Sequence, residues 1–258
     1  MSQYNPWQPQ TPRFSFGAGP MTPAVRIFIY ACVAVFVLQV LYPAGIEQIH
    51  VGDRDIMVAR PGLETYLGLV PAQMWSHLWL WQLVTFNFLH AGIFHIFLNL
   101  FVLWMFGTEL EKIYGTRRFV GFMFVAGVGA GLTNALFMPH QDVPTIGASG
   151  IVYGALLAYA MNFPDRKLYL YFLVPVKAKW VVLGIGIISL ISSVSGSQAG
   201  IAHIAHLGGM VFGYLYLRYD RAFFRLRDAY YRRKLKRMKK KFGVIDGDRS
   251  DKDDRIVH

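Results

Sequence analysis

A chain of 258 residues that is 54% hydrophobic and 16% aromatic, with only 16% charged, is too apolar for a soluble domain of its length. Its apolar residues fall in runs of membrane-spanning size. The formal charge of +11 gathers between Arg218 and Lys241; directly after an apolar run, such a segment marks the cytoplasmic side rather than a nucleic-acid interface.

The one cysteine, Cys32, lies inside the first apolar run, which leaves no disulfide framework and no thiolate metal site. Residues 1–23 are polar, with Pro, Gln and Gly and no hydrophobic period, and read as a flexible lead. They do not read as a cleavable signal, because the apolar run comes late and no small-residue cleavage site follows. Ala24–Tyr42 is the first expected span. Pro43–Ser76 carries charges of both signs with scattered Trp and Leu, which predicts a long loop lying partly in the membrane interface. Trp75, Trp79 and Trp81 then suit an aromatic belt. His90–Leu110 is the second span, closed by Glu109, Glu111 and Lys112. Phe119–Met138 is the third, with Gly121, Gly127, Gly129 and Gly131 permitting close helix contact. After the loop Pro139–Gly147, the fourth span runs from Ser149 to Pro164. Lys167–Lys179, which holds Pro175, Lys177 and Lys179, reads as an interfacial segment ahead of a fifth span, Trp180–Ser193. A small-residue turn, Ser195–Gly200, leads to the sixth span, Ile201–Leu217. Residues 24–217 thus form the membrane domain, 218–241 a basic juxtamembrane segment that favours anionic lipid, and 242–258 an acidic, disordered tail.

Six spans put both termini on one side. The connections at Lys112–Arg118 and Asp165–Lys167 and the segment after Leu217 carry most of the Lys and Arg, while Pro139–Gly147 and Ser195–Gly200 carry none. Both termini are therefore expected in the cytoplasm. No internal repeat of transporter type is visible.

The fourth helix is short. From Ser149 to Pro164 it rises roughly 22 Å at 1.5 Å per residue, against a hydrocarbon core of about 30 Å. With Asp165-Arg166-Lys167 at one surface, Ser149 sits below the other, at the start of a helix that begins inside the bilayer. Non-helical backbone at that depth must be buried in protein or line a wet cavity. His206, about 18 Å up from Arg218, and Asn99 and His95, about 18 and 24 Å up from Glu111, fall in the same layer. Intramembrane polar groups are functional candidates because they are costly without partners or water. Gly150, Gly154 and Ala158 form one stripe of small residues on the fourth span. Ala202, His206, Gly209 and Gly213 form a comparable stripe on the sixth, so the two helices can approach closely. Tyr153, one turn after Ser149, shares its face and can support an imidazole from beneath. Each residue alone has a structural reading: Ser149 as packing, His203 as a satisfied histidine, Asn99 as helix-to-helix glue. Their shared depth on three helices is what points to a site.

The sequence resembles the rhomboid intramembrane serine proteases over all six spans. The resemblance is carried by Gly147-Ala-Ser-Gly150 with Tyr153, by His90 and His95-x-x-x-Asn99, and by Ala205-His206-x-x-Gly209-x-x-x-Gly213; Glu109 and Glu111 are similar to family positions too. It implies a six-transmembrane-helix, all-α bundle with a short central helix starting at the catalytic serine. It further implies a catalytic dyad on Ser149 and His206 and oxyanion stabilisation by His95 and Asn99. Trp81-Gln82 departs from the Trp-Arg that many members of the family carry in the first loop.

On this reading His206 is the general base toward Ser149, and the supporting shell comprises Tyr153, Gly147, Gly150, Gly209 and His90. No cofactor and no metal are expected. The partners are transmembrane protein substrates and the lipid bilayer, in a bacterial cytoplasmic membrane, with the site opening to the extracytoplasmic side. Three rivals compete. A metalloprotease would draw ligands from His90, His95, His203 and His206 but lacks an H-E-x-x-H glutamate. A catalytically silent relative would bind or escort membrane clients. The third is a transporter.

Overall fold

The computed structural model describes residues 19–51, 54–170, 173–194 and 198–242. Most of the expected flexible lead, residues 195–197 of the turn before the last span, and the tail from residue 243 lie outside the described residues. The chain divides into two units, Met1–Tyr216 and Leu217–His258. In its described part the second unit is helical.

Helix α1 (Pro23–Leu41) begins with proline at its first position, where the missing N–H costs nothing. The next free N–H groups, of Ala24 and Val25, donate to the Glu111 carboxylate at 3.0 and 3.1 Å. The Thr22 and Thr116 hydroxyls donate to the same group. Four donors and the positive end of a helix are what let Glu111 be 98% buried.

Between α1 and the next long helix, the expected interfacial loop is folded. It contains an antiparallel hairpin, β1 (Gly45–Val51) and β2 (Arg54–Arg60), in register from Gly45↔Arg60 to Val51↔Arg54. Short helices α2 (Leu63–Leu67), α3 (Pro71–His77) and α4 (Gln82–Thr85) follow, the last running into a 3-10 turn at Phe86–Phe88. Gln82 is fully buried. Its carboxamide accepts the Val70 N–H at 3.1 Å and donates to the Tyr66 carbonyl at 3.4 Å. A neutral amide thus ties the loop.

Helix α5 (Ile93–Val102) passes through a π-helical turn, Leu103–Gly107, into α6 (Thr108–Tyr114). Helix α7 (Thr116–Phe137) and the 14-residue α8 (Ser149–Asn162) come next. The segment read as interfacial is a second hairpin, β3 (Lys167–Leu170) with β4 (Val174–Lys177). It leads into α9 (Ala178–Val194) and α10 (Gln198–Phe242). The bounds of α10 take in both the expected last span and the basic segment.

The structure is a helical membrane fold with two small hairpins. Among the described residues, three helices are long and apolar enough to cross a bilayer: α1, the composite Ile93–Tyr114, and α7. Ala178–Ser193 is a shorter apolar helix, and α8, at 14 residues, rises only about 21 Å.

Glycine sets the spacing around α8. A Cβ built on Gly209 would stand 2.1 Å from the Gly150 carbonyl oxygen, and one on Gly154 would stand 2.9 Å from the Gly209 carbonyl oxygen. Helices α8 and α10 therefore touch backbone to backbone. On the α7 side, Phe212 fills the space beside Gly129, and Thr133 that beside Gly208. Leu69, Met74, Phe86, Ala130, Ala135 and Ala205 form a buried cluster linking the first loop to α7 and α10. At the far end of α8, Arg166 pairs with Glu109, donates to the Tyr159 hydroxyl at 2.9 Å and lies 4.1 Å over the Phe163 ring.

Candidate active site

Ser149 opens α8, and the chain before it is held tightly. Leu69 and Thr145 exchange backbone hydrogen bonds of 3.0 and 2.8 Å, and the Gly147 N–H donates to the Phe86 carbonyl at 2.9 Å. Gly147 has φ +127°, and a Cβ there would stand 2.8–2.9 Å from the His95 ring. Glycine is required at this position both by conformation and by space.

The Ser149 hydroxyl and His206 Nε2 are 2.7 Å apart, although 57 residues separate them in the chain. Tyr153 stacks on the other partner of that contact: its ring lies 4.1 Å from the His206 ring at 16°. His203, one turn earlier on α10, meets His206 edge to face at 5.6 Å and 88°. Ser149, Tyr153, His203 and His206 are all partly exposed. When the Ser149 O–H donates to Nε2, the neutral ring carries its proton on Nδ1. That nitrogen is buried without a hydrogen-bond partner among the described residues, and the Tyr153 ring packs against the imidazole.

His95 and Asn99 lie one turn apart on α5. The Ala91 N–H donates to His95 Nδ1 at 3.2 Å, so the neutral ring holds its proton on Nε2, the atom beside Gly147. A fixed donor therefore lies beside Gly147, the residue two before Ser149. Asn99 Nδ2 donates to the His95 carbonyl at 2.8 Å. His90 is 98% buried, its ring edge-on to His95 at 5.3 Å, and neither ring nitrogen has a partner among the described residues. Its backbone is clamped by Gln39 of α1, which accepts the His90 N–H at 2.9 Å and donates to the His90 carbonyl at 3.2 Å. Among the described residues, no group of three or more His, Cys, Asp or Glu is arranged to hold a metal ion.

Two supports had no place in the sequence reading. Gln39 sits in an apolar run, where a lone polar residue was the available signal. Asn134, fully buried in α7, donates to the Thr145 hydroxyl at 2.9 Å and so anchors the loop before Ser149; its partner is a loop residue that no local spacing identifies.

A family model described as Rhomboid domain matches residues 77–223. The chain is 31% identical over 137 residues to rhomboid protease GluP of Bacillus subtilis (strain 168), covering 52% of this chain and 25% of that protein. It is 34% identical over 140 residues to Rhomboid-related protein 3 of Homo sapiens, covering 54% and 29%. With rhomboid protease GlpG of Yersinia pestis (strain Pestoides F) the match is 28% over 208 residues, 79% of this chain and 63% of that one. The chain belongs to the rhomboid family, whose members among these relatives include bacterial and eukaryotic proteins. It spans between 25% and 63% of the lengths of these three relatives.

Proposed function

We propose that this protein is an intramembrane serine endopeptidase that hydrolyses peptide bonds in or near the transmembrane segments of membrane-protein substrates. The observation that carries the reading is the 2.7 Å contact between Ser149 and His206 Nε2, with Tyr153 stacked on the imidazole. Ser149 attacks the scissile carbonyl while His206 accepts its proton, then returns it to the leaving amine. The oxyanion forms within reach of the Ser149 backbone N–H, at the positive end of α8, and of His95 Nε2–H. Asn99 joins them by turning its carboxamide from the His95 carbonyl. Each such donor contributes roughly 10²–10³-fold in rate.

In this account α8 is the short central helix of a six-span bundle. Both termini are cytoplasmic, the site opens to the extracytoplasmic side of a bacterial membrane, and the basic segment after Leu217 rests on anionic lipid. Substrates would expose their cleavage site by local unwinding, so Gly, Pro or small residues are expected near it. The test is cleavage of a model transmembrane substrate in reconstituted vesicles. Wild type should cut, Ser149→Ala and His206→Ala should fall by at least about a thousandfold, and His95→Ala by about a hundredfold. Cleavage persisting in Ser149→Ala would overturn the reading, as would a wild type that only binds the substrate.

A further inference from the structure

On the Asp165 side of the fold, an apolar groove of about 510 Å³ runs between α8, α9 and α10. Leu157, Leu183, Gly186, Leu190, Leu207 and Met210 line it, and Lys179 and Trp180 stand at one end. Gly186 keeps the floor low: a Cβ there would meet only the Met210 methyl, at 3.6 Å. From Lys179 to Leu190 the groove follows α9 for roughly 17 Å, close to half of a hydrocarbon core about 30 Å thick. It is too small for a helix, which is about 10 Å across with its side chains, and it suits one extended hydrocarbon chain of a single leaflet.

The mouth has the chemistry of a membrane surface. Trp180 is 58% exposed and lies beside the Lys179 ammonium, 5.8 Å from its ring centroid, as in an interfacial aromatic belt. Lys177 and Lys179 both donate to one oxygen of Asp165, at 3.0 Å each. Lys167 is the cross-strand partner of Lys177, a like-charge pairing that destabilises a hairpin unless an anion offsets it. Three lysines thus stand against one carboxylate, and the neighbouring Arg166 is already paired with Glu109.

We propose that this groove seats one acyl chain of an anionic glycerophospholipid, whose phosphate rests on Lys167, Lys177 and Lys179. The lipid fills the space that Gly186 leaves open and completes the charge of the β3–β4 hairpin.

Native mass spectrometry of the full chain, exchanged into phosphatidylglycerol or phosphatidylcholine, tests it. Wild type should retain one phosphatidylglycerol more than Gly186→Phe, whose ring occupies the chain's path. Its preference for phosphatidylglycerol over phosphatidylcholine should be about tenfold, the order expected for one or two lysines at a membrane surface. Lys167→Glu, which creates an ion pair with Lys177, should abolish that preference while keeping the fold, and Gly186→Ala should retain the lipid. Equal lipid counts in wild type and Gly186→Phe would overturn the proposal, as would equal retention of the two lipids by wild type. Displacement of the lipid by inorganic phosphate would also overturn it, since the chain would then contribute nothing.

Discussion

His206 has a hydroxyl on one nitrogen and no partner for the other among the described residues. A serine protease of the three-membered kind uses a carboxylate there to hold tautomer and orientation. In the proposed mechanism the orienting surface is the Tyr153 ring, which stacks on the imidazole. Tyr153→Ala should therefore slow acylation by about tenfold with KM nearly unchanged, whereas Tyr153→Phe, which keeps the ring, should stay within about threefold; an alanine variant as fast as wild type would deny the tyrosine this role. Depth made the Ser149–His206 meeting legible in the sequence, because helix rise from the charged ends puts both in one layer. The one-turn offset from Ser149 likewise put Tyr153 on the right face. What the sequence left hidden depends on backbone groups that side-chain spacing does not reveal: the Ala91 N–H that sets the His95 tautomer, and the two backbone groups that occupy Gln82.

Helices α8 and α10 meet through glycine, and that contact brings the serine and histidine together. At Gly209 an added methyl would collide with the backbone of Gly150 at 2.1 Å, so no rotamer change can relieve it. Gly209→Ala should lower stability by about 1–3 kcal/mol and reduce activity further, read by thermal unfolding in detergent alongside substrate cleavage. The β3–β4 hairpin behaves differently, because charge secures it at the surface. Hydrogen bonds and charge from Lys179 and Lys177 hold the Asp165 carboxyl below its ordinary range. A depressed folded-state value means that the clasp is intact above the ordinary carboxylate range and is lost as pH falls through the lowered one. Protection of the Lys177–Trp180 amides, taken relative to their intrinsic exchange at each pH, should fall over that acidic interval, and protection that does not change with pH there would contradict the clasp. The small-residue stripes and the apolar runs announced the helices. The hairpins were harder to read: β1 and β2 lack a long alternation of apolar and polar residues, and Pro175 with two lysines reads as a surface segment before it reads as a strand.

For the molecule as a whole, apolar runs and the Lys and Arg distribution indicate how the chain is threaded. Among the described residues, three helices have the length and composition to cross; others there are shorter or, like α10, continue into the basic segment. The proposed orientation places Asp142 outside and Arg117 inside. Because the one native cysteine, Cys32, is buried, single cysteines at those two positions can be probed in intact cells with an impermeant maleimide. Asp142→Cys should react and Arg117→Cys should react only after permeabilisation; the reverse pattern would invert the topology.

The most direct measurement is mass-spectrometric mapping of a fluorophosphonate adduct on the membrane-embedded protein. A single adduct should form on Ser149, slow by at least about a thousandfold in His206→Ala and be absent in Ser149→Ala. No adduct on Ser149, or one that forms equally fast without His206, would contradict the account.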